Sequence, residues 1–415
     1  MYGLIRLGLA GLPGPPSLKL SARTWPRVGR VVILLGITSL LTDISAEMVA
    51  AVLPLYLLYQ MQISTVQFGI LDGIYQGSAA LVRLAAGFAA DRWRRQKDVA
   101  AAGYALSVLS RVGLLAASGA LPGIAASLVA DRIGKGIRSA PRDALISLSV
   151  PKERLGLAFG VHRTFDTGGA FIGPLAAFGL LALAPFAFDI VFVPSLLIAL
   201  IGLGVIVFFV HNQDATGGEH SPALTLSDCG KLLRSPRFRG LVIAAAVLTT
   251  ATVSDAFIYV ALQRRGSLAL TLFPLLYVGT ALCYLILAAP TGWLADRVGR
   301  RTIYLTGQGL MVGVYGVVLA ADPGWVSVAA LPLMGAYYAC TDGVLVAAAS
   351  SELEPRFRTS GLAIVTTVTS LAALASSTLA GVVWSLRGME ATFQFFLIGL
   401  LAALALGVWR LPKDG

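Results

Sequence analysis

Cysteine, histidine and charged residues are all scarce in this sequence of 415 residues. The cysteines and histidines lie far apart along the chain, at Cys229, Cys283, Cys340, His162, His211 and His220. They have neither the spacing of metal ligands nor that of a disulfide framework. No group of residues has the spacing of a nucleophile and its base, either. We therefore expect no metal, no cofactor and no enzymatic activity.

Charged residues make up 13% of the chain and hydrophobic residues 57%, whereas a soluble domain carries about 25% charged residues. A soluble globular fold is therefore excluded. A helix needs about 20 apolar residues to cross a bilayer, and about twelve continuous runs of this kind are present. They predict an all-α integral membrane protein with twelve transmembrane helices. The runs are 31–58, 66–88, 98–119, 123–142, 162–184, 188–210, 241–262, 270–291, 302–321, 325–347, 360–383 and 391–409.

The net charge is +11, and the distribution of the lysines and arginines along the chain indicates the membrane topology. Of the 32 lysines and arginines, 25 fall in the tails, in alternate loops and at the run ends beside those loops, three fall on the opposite side, and four fall deeper inside apolar runs, namely Arg83, Arg111, Arg132 and Lys135. By the positive-inside rule, both termini lie in the cytoplasm of a protein of the inner (plasma) membrane. The basic charge is therefore explained without a nucleic-acid partner.

A short polar segment interrupts the apolar background twice. The first copy begins at Gly87 and reads GFAADRWRRQK, and the second begins at Gly292 and reads GWLADRVGRR. Two copies about 205 residues apart indicate a duplicated unit of six helices, with a substrate path between two pseudo-symmetric lobes. The predicted parts are a cytoplasmic N-terminal tail (1–30), a first six-helix lobe (31–210), a cytoplasmic linker (211–239) and a second six-helix lobe (240–410).

The second copy matches the signature between helices two and three of the major facilitator superfamily, Gly-x-Leu-Ala-Asp-Arg-x-Gly-Arg-Arg. The sequence resembles this superfamily from about residue 30 to residue 410, and the first copy departs from the signature at Ala89 and Arg94. The resemblance implies alternating access and implies that Asp91, Arg92 and Arg95 steady the outward-facing state. The gating-motif residues of both copies are Gly87, Asp91, Arg92, Arg95, Gly292, Asp296, Arg297 and Arg300.

Two further segments resemble motifs of this superfamily. Arg132-Ile-Gly-Lys135-Gly136 is similar to the fourth-helix motif Arg-x-x-Gln-Gly, with Lys135 in place of Gln. The fifth run resembles the pattern that the superfamily associates with antiporters. Its residues are Gly160, Gly169, Gly173 and Pro174. Glycines at this spacing flatten one helix face and allow close packing, and proline bends the helix.

Asp43 and Glu47 are the leading candidates for proton coupling, because they lie four residues apart on one face of the first helix. An ionised residue at the bilayer centre costs about 2.5–3.5 kcal/mol, and two carboxylates one turn apart repel each other, so this pair is suited to hold a proton. The alternative is that one or both pair with a buried arginine, for which Arg132 is the expected partner, and only fix helix packing.

Other ionisable residues inside the apolar runs are candidates for coupling or for substrate contact. They are Asp72, Asp131, Arg132, Lys135, Asp255 and Asp342. Lys135, Arg138 and Arg142 continue along one stripe from Asp131, which favours ion pairing and snorkelling or, alternatively, an anion path. For Asp72, Asp255 and Asp342, cavity lining and helix packing are both open.

These features predict a secondary active transporter that moves a small organic solute by alternating access, as a proton-coupled exporter of drugs or metabolites. The alternative is an uptake symporter for organic anions or nutrients that uses the basic residues of the fourth run. The expected partners are a small-molecule substrate, protons and the lipid bilayer, and the expected state is a monomer. Gly69, Gly73 and Gly77, spaced by four, could serve packing between the lobes or dimerisation.

Overall fold

The computed structural model describes residues 29–93, 95–151, 155–185, 187–211, 232, 234–320, 326–353 and 358–411, which form helices and short connections without a β-strand. The first half holds α1 (Arg30–Leu55), α2 (Thr65–Trp93), α3 (Gln96–Ala116), α4 (Leu121–Leu148), α5 (Leu155–Leu183) and α6 (Asp189–Phe209). The second half holds α7 (Pro236–Thr250), α8 (Asp255–Arg265), α9 (Pro274–Val298), α10 (Arg300–Leu319), α11 (Val326–Ser351) and α12 (Arg358–Arg410). A π-helical turn, Tyr56–Gln60, extends α1.

Within these residues, nine helical segments are long and apolar enough to cross a membrane. The predicted runs 66–88 and 123–142 form α2 and α4, helices of 29 and 28 residues. These two helices are not among the nine segments. Helix α4 carries charges along its length. The last two predicted runs lie in one element, α12, whose helical backbone is interrupted at Gly388 with φ 84° and ψ 175°. The protein is thus a multi-helix membrane protein, and the count of twelve spans stays a prediction.

The seventh predicted run, 241–262, is a broken helix and not a continuous one. Between α7 and α8, side chains of neighbouring helices satisfy the backbone groups that the break leaves unpaired. Ser376 of α12 donates to the carbonyl of Thr252 (2.6 Å), and the backbone N–H of Val253 donates to the hydroxyl of Tyr315 on α10 (2.7 Å). A break at membrane depth needs such partners, because lipid supplies none. It places Asp255 in the first turn of α8.

The two halves repeat the same packing contacts. The ammonium of Lys97 in α3 donates to the carbonyl of Val207 near the end of α6, and the guanidinium of Arg301 in α10 donates to the carbonyl of Val408 near the end of α12. Gly103 packs against the backbone of α4 in the first half. Its counterpart 204 residues later, Gly307, packs against α11. These repeats agree with a duplicated unit.

Helix α2 of the first half packs against α12 of the second, and glycines allow their backbones to touch. A Cβ atom at Gly69 would lie 2.4 Å from the carbonyl oxygen of Ser377, and one at Gly73 would lie 2.8 Å from that of Leu374. At Gly77 the neighbour is the side chain of Leu374, 3.1 Å away. Of the two roles considered for these glycines, the structure shows packing between the halves.

The bundle has two ends. The terminal end is where α1 begins and α12 ends, and the α1–α2 end is where residues 61–64 join those helices. At the α1–α2 end, the hydroxyl of Tyr59 donates to Oε1 of Gln263 (2.6 Å), and Phe68 packs edge-on against Phe257 with ring centroids 4.9 Å apart. One continuous apolar core joins both halves there, whereas residues of the first half near the terminal end form a separate core. The halves are therefore closed against each other at the α1–α2 end.

Candidate functional site

The two acids of α1 lie against the glycine face of α5. A Cβ atom at Gly169 would come within 2.8 Å of the Cβ atom of Asp43, and one at Gly173 within 2.7 Å of that of Glu47. The backbones of α1 and α5 therefore meet where the two carboxylates leave α1, since any larger residue on α5 would clash there. The third glycine of the pattern, Gly160, has no atom within 4 Å of such a position among the described residues.

A buried ion cluster lies beside these acids on α3 and α4. Asp131 is 2% exposed and is held between two arginines, with Nη2 of Arg132 2.5 Å from one carboxylate oxygen and Nη2 of Arg111 3.2 Å from the other. The guanidinium of Arg132 also lies over the ring of Tyr75 on α2, 3.9 Å from its centroid. The Nε atom of Arg132 has no hydrogen-bond partner in the described part of the chain. Asp131 is thus an internal counter-ion.

The expectation that Arg132 pairs with the acids of α1 was wrong. Arg132 is nearer to Asp131 on its own helix, and the nearest cation to Asp43 among the described side chains is Arg138, 3.9 Å away between Nη2 and Oδ1. Arg138 is held by α3, because it donates to Ser107 (2.5 Å) and stacks over Tyr104.

Glu47 has no cation within 4 Å among the described side chains, although Lys135, Arg132, Asp131 and Asp43 all act on it electrostatically. The cluster as a whole holds four cations and three carboxylates. They are Arg111, Arg132, Lys135, Arg138, Asp43, Glu47 and Asp131. Glu47 is therefore the acid of the cluster that is left without a close ion-pair partner.

Closer to the terminal end, Arg142 joins α1, α4 and α5. Its guanidinium donates to Ser39 of α1 (2.9 Å), lies 3.0 Å from the carboxylate of Asp143 and lies 3.9 Å from that of Asp166. Nδ1 of His162 is 3.6 Å from the same Asp166 carboxylate, one helical turn away on α5. This second cluster fixes the three helices relative to one another and continues the basic stripe of α4 to the terminal end.

The second half contributes acids among tyrosines. Asp255, at the start of α8, accepts a hydrogen bond from the hydroxyl of Tyr338 on α11 (2.5 Å). Tyr338 packs edge-on against Tyr337, and Tyr259 packs against Tyr277 with ring centroids 4.4 Å apart. All four tyrosines are close enough to Asp255 to interact with it electrostatically.

Two further acids act on Asp255 electrostatically, and they are Asp72 of α2 and Asp342 of α11. Asp72 accepts a hydrogen bond from Ser377 of α12 (2.7 Å), so it joins the two halves. The side chain of Asp342 is exposed, and it interacts electrostatically with Arg163 of α5.

The buried ion cluster of the first half meets a second group at the boundary between the halves. This second group, the acid–tyrosine cluster, consists of Asp255 with its neighbouring acids and tyrosines. Tyr75 lies under the guanidinium of Arg132, and Tyr277 is close enough to interact electrostatically with Tyr75, Asp72 and Asp255. The boundary therefore has a mixed cluster with an excess of one cation around Glu47 and a group of acids around Asp255, to which Asp72 of the first half also belongs, so a solute between the halves would meet both.

Side chains of the first gating-motif copy, at Gly87, Asp91 and Arg92, lie outside the described part of the chain. Arg95 is exposed and lies 3.9 Å from Asp98. In the second copy, the guanidinium of Arg300 lies 3.2 Å from Asp296 and donates to the carbonyl of Ala347.

The remaining residues of the second copy take other positions. Arg297 stacks on Trp293, 3.8 Å from the ring centroid, and a Cβ atom at Gly292 would meet no described atom within 4 Å. A cavity of 490 Å³ lies at this corner of the terminal end, and Asp296 and Glu352 line it.

Several residues of these clusters were not singled out as site residues from the sequence. They are Arg111, Tyr75, Ser107, Tyr104 and Ser377. Arg111 was visible as a cation inside an apolar run, but the other four are common residue types that carry no signal without the fold. No cluster of metal-ligand side chains occurs among the residues that the structure describes.

A helical membrane protein with ionisable groups on both sides of a boundary between repeated halves has the architecture of a membrane transporter. The family model of the Major Facilitator Superfamily matches residues 35–279 and 256–415. The chain belongs to this superfamily.

Known relatives agree with this assignment. An uncharacterized MFS-type transporter of Methanocaldococcus jannaschii is 28% identical over 373 residues, which cover 88% of this chain and 90% of the relative. An uncharacterized protein of Mycobacterium tuberculosis is 28% identical over 306 residues, covering 71% and 72%.

Solved structures share the fold. A mutant of the nucleoside transporter NupG superposes with a TM-score of 0.77 at 13% identity, covering 92% of this chain and all of that chain. A POT family transporter in complex with 5-aminolevulinic acid gives a TM-score of 0.75 at 14% identity, covering 92% and 96%. At these identities the likeness extends to the fold alone.

Proposed function

We propose that the protein exports a small organic solute by alternating access and that protons drive it. The observation that carries the proposal is Glu47, an acid in a membrane helix with no described cation within 4 Å. An ionised group inside a membrane is costly unless it is paired, so a carboxyl without a close partner is suited to bind and release a proton. Transport proteins place such groups on the ion pathway.

The surroundings of Glu47 support this role. On its own helix it faces Asp43, on α4 it faces Asp131, Arg132 and Lys135, and on α2 it faces Tyr75. When Glu47 is ionised, Lys135 is the described cation that acts on it most strongly. When Glu47 holds a proton, the cluster has a larger excess of positive charge, which changes its interaction with α1. Proton binding can therefore alter how the helices of the first half fit together.

The acid–tyrosine cluster supports a cationic or neutral substrate. Asp255 has only hydroxyl and carboxyl groups as described polar neighbours, and aromatic rings attract cations through their faces. An amine attached to a planar group fits this chemistry. With both termini in the cytoplasm, closure at the α1–α2 end corresponds to a state that faces inward, in which an exporter loads its substrate.

Proteoliposomes with a pH-sensitive dye inside provide the test. We expect the wild-type protein to move protons when substrate is added, and Glu47→Gln to bind substrate but move no protons. Asp43→Asn tests the second acid, and Glu390→Gln, which changes an exposed acid near the α1–α2 end, is the matched control. Undiminished proton-driven transport in both Glu47→Gln and Asp43→Asn would refute the coupling role.

The second candidate function is uptake of an organic anion. The observation in its favour is the excess of cations over carboxylates in the buried cluster of the first half, with Lys135 outside any ion pair shorter than 4 Å among the described residues. A substrate series that keeps the ring and changes only the charged group, from amine to neutral to carboxylate, separates the two. Preference for the carboxylate, lost in Lys135→Gln, would favour uptake of anions.

A further inference from the structure

Residues at equivalent positions of the two halves bond to each other at the closed α1–α2 end. Tyr59 and Gln263 are 204 residues apart, the same offset that separates Gly103 from Gly307. The hydroxyl of Tyr59 donates to Oε1 of Gln263 over 2.6 Å. In a repeated structure, a contact between equivalent residues lies on the axis that relates the repeats. This bond therefore joins the halves where they are related by that axis.

Each of the two bonded residues lies just before a helix end that contains a left-handed residue. Gln62 lies two residues beyond the π-helical turn Tyr56–Gln60 and has a φ of 52°. Ser267 lies two residues beyond the end of α8 and has a φ of 47°. Neither is a glycine, and a positive φ brings the Cβ atom of an L-residue too close to the following carbonyl oxygen. Each half therefore holds one strained residue beside the bond.

The helix end of the second half fixes the side chain of Gln263. The backbone N–H of Leu268, directly after Ser267, donates to the carbonyl of Gln263 (3.1 Å). In return, Nε2 of Gln263 donates to the carbonyl of Leu268 (2.9 Å). Both bonds depend on the left-handed turn at Ser267, because that turn brings Leu268 back to the helix. The turn therefore sets where Oε1 of Gln263 meets the hydroxyl of Tyr59.

The helix end of the first half does the same for Tyr59, through a wider turn. The bonds that close it run five and six residues back along the chain, from Met61 to Tyr56 (3.0 Å) and from Ile63 to Leu57 (3.1 Å). An α-helix bonds only four residues back, and π-helical turns are rare and are frequent at functional sites. Tyr59 lies inside this turn, so the position of its ring depends on the turn and on Gln62 after it.

We propose that the two helix ends form a strained latch: Gln62 and Ser267 must both be left-handed for Tyr59 to bond Gln263, and both relax when the α1–α2 end opens. The strain acts against the bond, so only a small net free energy holds this end closed. A modest change elsewhere in the protein can then open it. The latch does not depend on which solute or ion the protein carries.

Distances between spin labels at the α1–α2 end of the full chain in lipid nanodiscs test the latch. Labels at Ala187 and Arg387, exposed residues of different halves, report the open and closed populations once the native cysteines are replaced. Gln62→Gly and Ser267→Gly remove the strain, because glycine adopts a positive φ freely. Each should lower the open population about five- to thirtyfold, which corresponds to the cost of one left-handed L-residue.

A second background makes this decrease measurable even if the wild type is almost entirely closed. Phe68→Leu loses the edge-on ring contact with Phe257 and should raise the open population without touching the latch. The two glycine variants should lower that population again. Valine should act in the opposite direction, because a β-branched residue tolerates a positive φ least. Gln62→Val and Ser267→Val should therefore raise the open population in the wild-type background.

Ser118 offers the matched control. It is also an exposed left-handed residue at the α1–α2 end, with a φ of 45°, but it lies in the connection between α3 and α4. Ser118→Gly and Ser118→Val should change stability and leave the label distances as they are. Unchanged distances in the variants of Gln62 and Ser267 would overturn the proposal, because both residues would then be left-handed in the open state as well. An equal shift in the Ser118 variants would overturn it too.

Discussion

The contact between Gly173 of α5 and Glu47 of α1 permits a quantitative prediction for Gly173→Ala. The added Cβ atom would lie 2.7 Å from the Cβ atom of Glu47, 2.8 Å from the carbonyl oxygen of Ile44 and 3.0 Å from the backbone nitrogen of Met48. None of these atoms is the end of a flexible side chain. The only way to relieve the clash is therefore to move α5 away from α1.

Overpacking of this kind costs about 1–3 kcal/mol. Alanine is also the better helix former by about 1 kcal/mol, and that gain would partly hide the loss. Gly160→Ala has the same gain without the clash, since no described atom lies within 4 Å of its added Cβ atom. The two glycines belong to the same helix and the same sequence pattern. The difference between the two variants therefore isolates the cost of the α1–α5 contact, which we expect to be about 1–3 kcal/mol.

Equilibrium unfolding in mixed detergent and sodium dodecyl sulfate micelles measures both variants against the wild type. Gly173→Ala should unfold at a lower mole fraction of sodium dodecyl sulfate, and Gly160→Ala at an equal or higher one. Gly169→Ala, which would clash with Asp43, should behave like Gly173→Ala. If Gly173→Ala proves as stable as Gly160→Ala, the helices are not in backbone contact at the acids, and the geometry assigned to Glu47 is wrong.

Three further substitutions test other contacts. Asp131→Asn should destabilise the protein by about 3–5 kcal/mol, measured by the same unfolding assay, because two buried arginines lose their shared counter-ion. Tyr59→Phe removes the hydrogen bond to Gln263 and should raise the population open at the α1–α2 end about two- to tenfold, measured as distances between spin labels at that end. Ser376→Ala leaves the Thr252 carbonyl at the helix break without its donor and should cost about 1–3 kcal/mol in unfolding.

Each of these has a control. Asp98→Asn changes an acid whose side chain is 49% exposed and should cost at most about 1 kcal/mol of unfolding free energy. If Asp131→Asn loses no more stability than Asp98→Asn, the buried cluster is not an ion-pair network. Gln263→Leu also loses the hydrogen bond to the carbonyl of Leu268, so its combination with Tyr59→Phe should have no more effect than Gln263→Leu alone, and an additional effect of Tyr59→Phe in that background would contradict a direct bond. Ser350→Ala, an exposed serine that bonds only to its own helix, should be neutral.

Much of the architecture could be predicted because membrane helices have a strong signal. Composition alone indicated a helical membrane protein, and the two motif copies predicted a duplication, with which the repeated contacts of Lys97 and Arg301 agree. The spacing of Asp43 and Glu47 placed them on one face of α1, and the structure sets both against α5. Periodicity carries such information because it depends only on the local helix.

Partners from distant parts of the chain could not be predicted. Asp131 is adjacent to Arg132 in sequence, but the pairing with Arg111 depends on how α3 and α4 pack. The break before Asp255 is not visible in hydropathy, because residues 251–254 are apolar or small, and tertiary partners allow the helix to open there. The boundary between the last two predicted runs, 360–383 and 391–409, does coincide with the interruption of the helical backbone at Gly388.

The two halves share scaffold contacts but carry different charges, and this difference supports a division of roles. Gly103 and Gly307 pack at equivalent places on α4 and α11, 204 residues apart. At that same offset, Arg138 of the first half corresponds to Asp342 of the second. Packing positions are constrained by close backbone contacts, whereas residues that face the boundary are free to change. Under the proposed function, the ion cluster of the first half would hold a proton while an amine binds at the acids around Asp255, and the two sites would act on each other through charge. Asp255→Asn should then weaken binding of a cationic substrate without abolishing proton binding, and Glu47→Gln should do the reverse; identical defects in the two variants would show that a single site serves both.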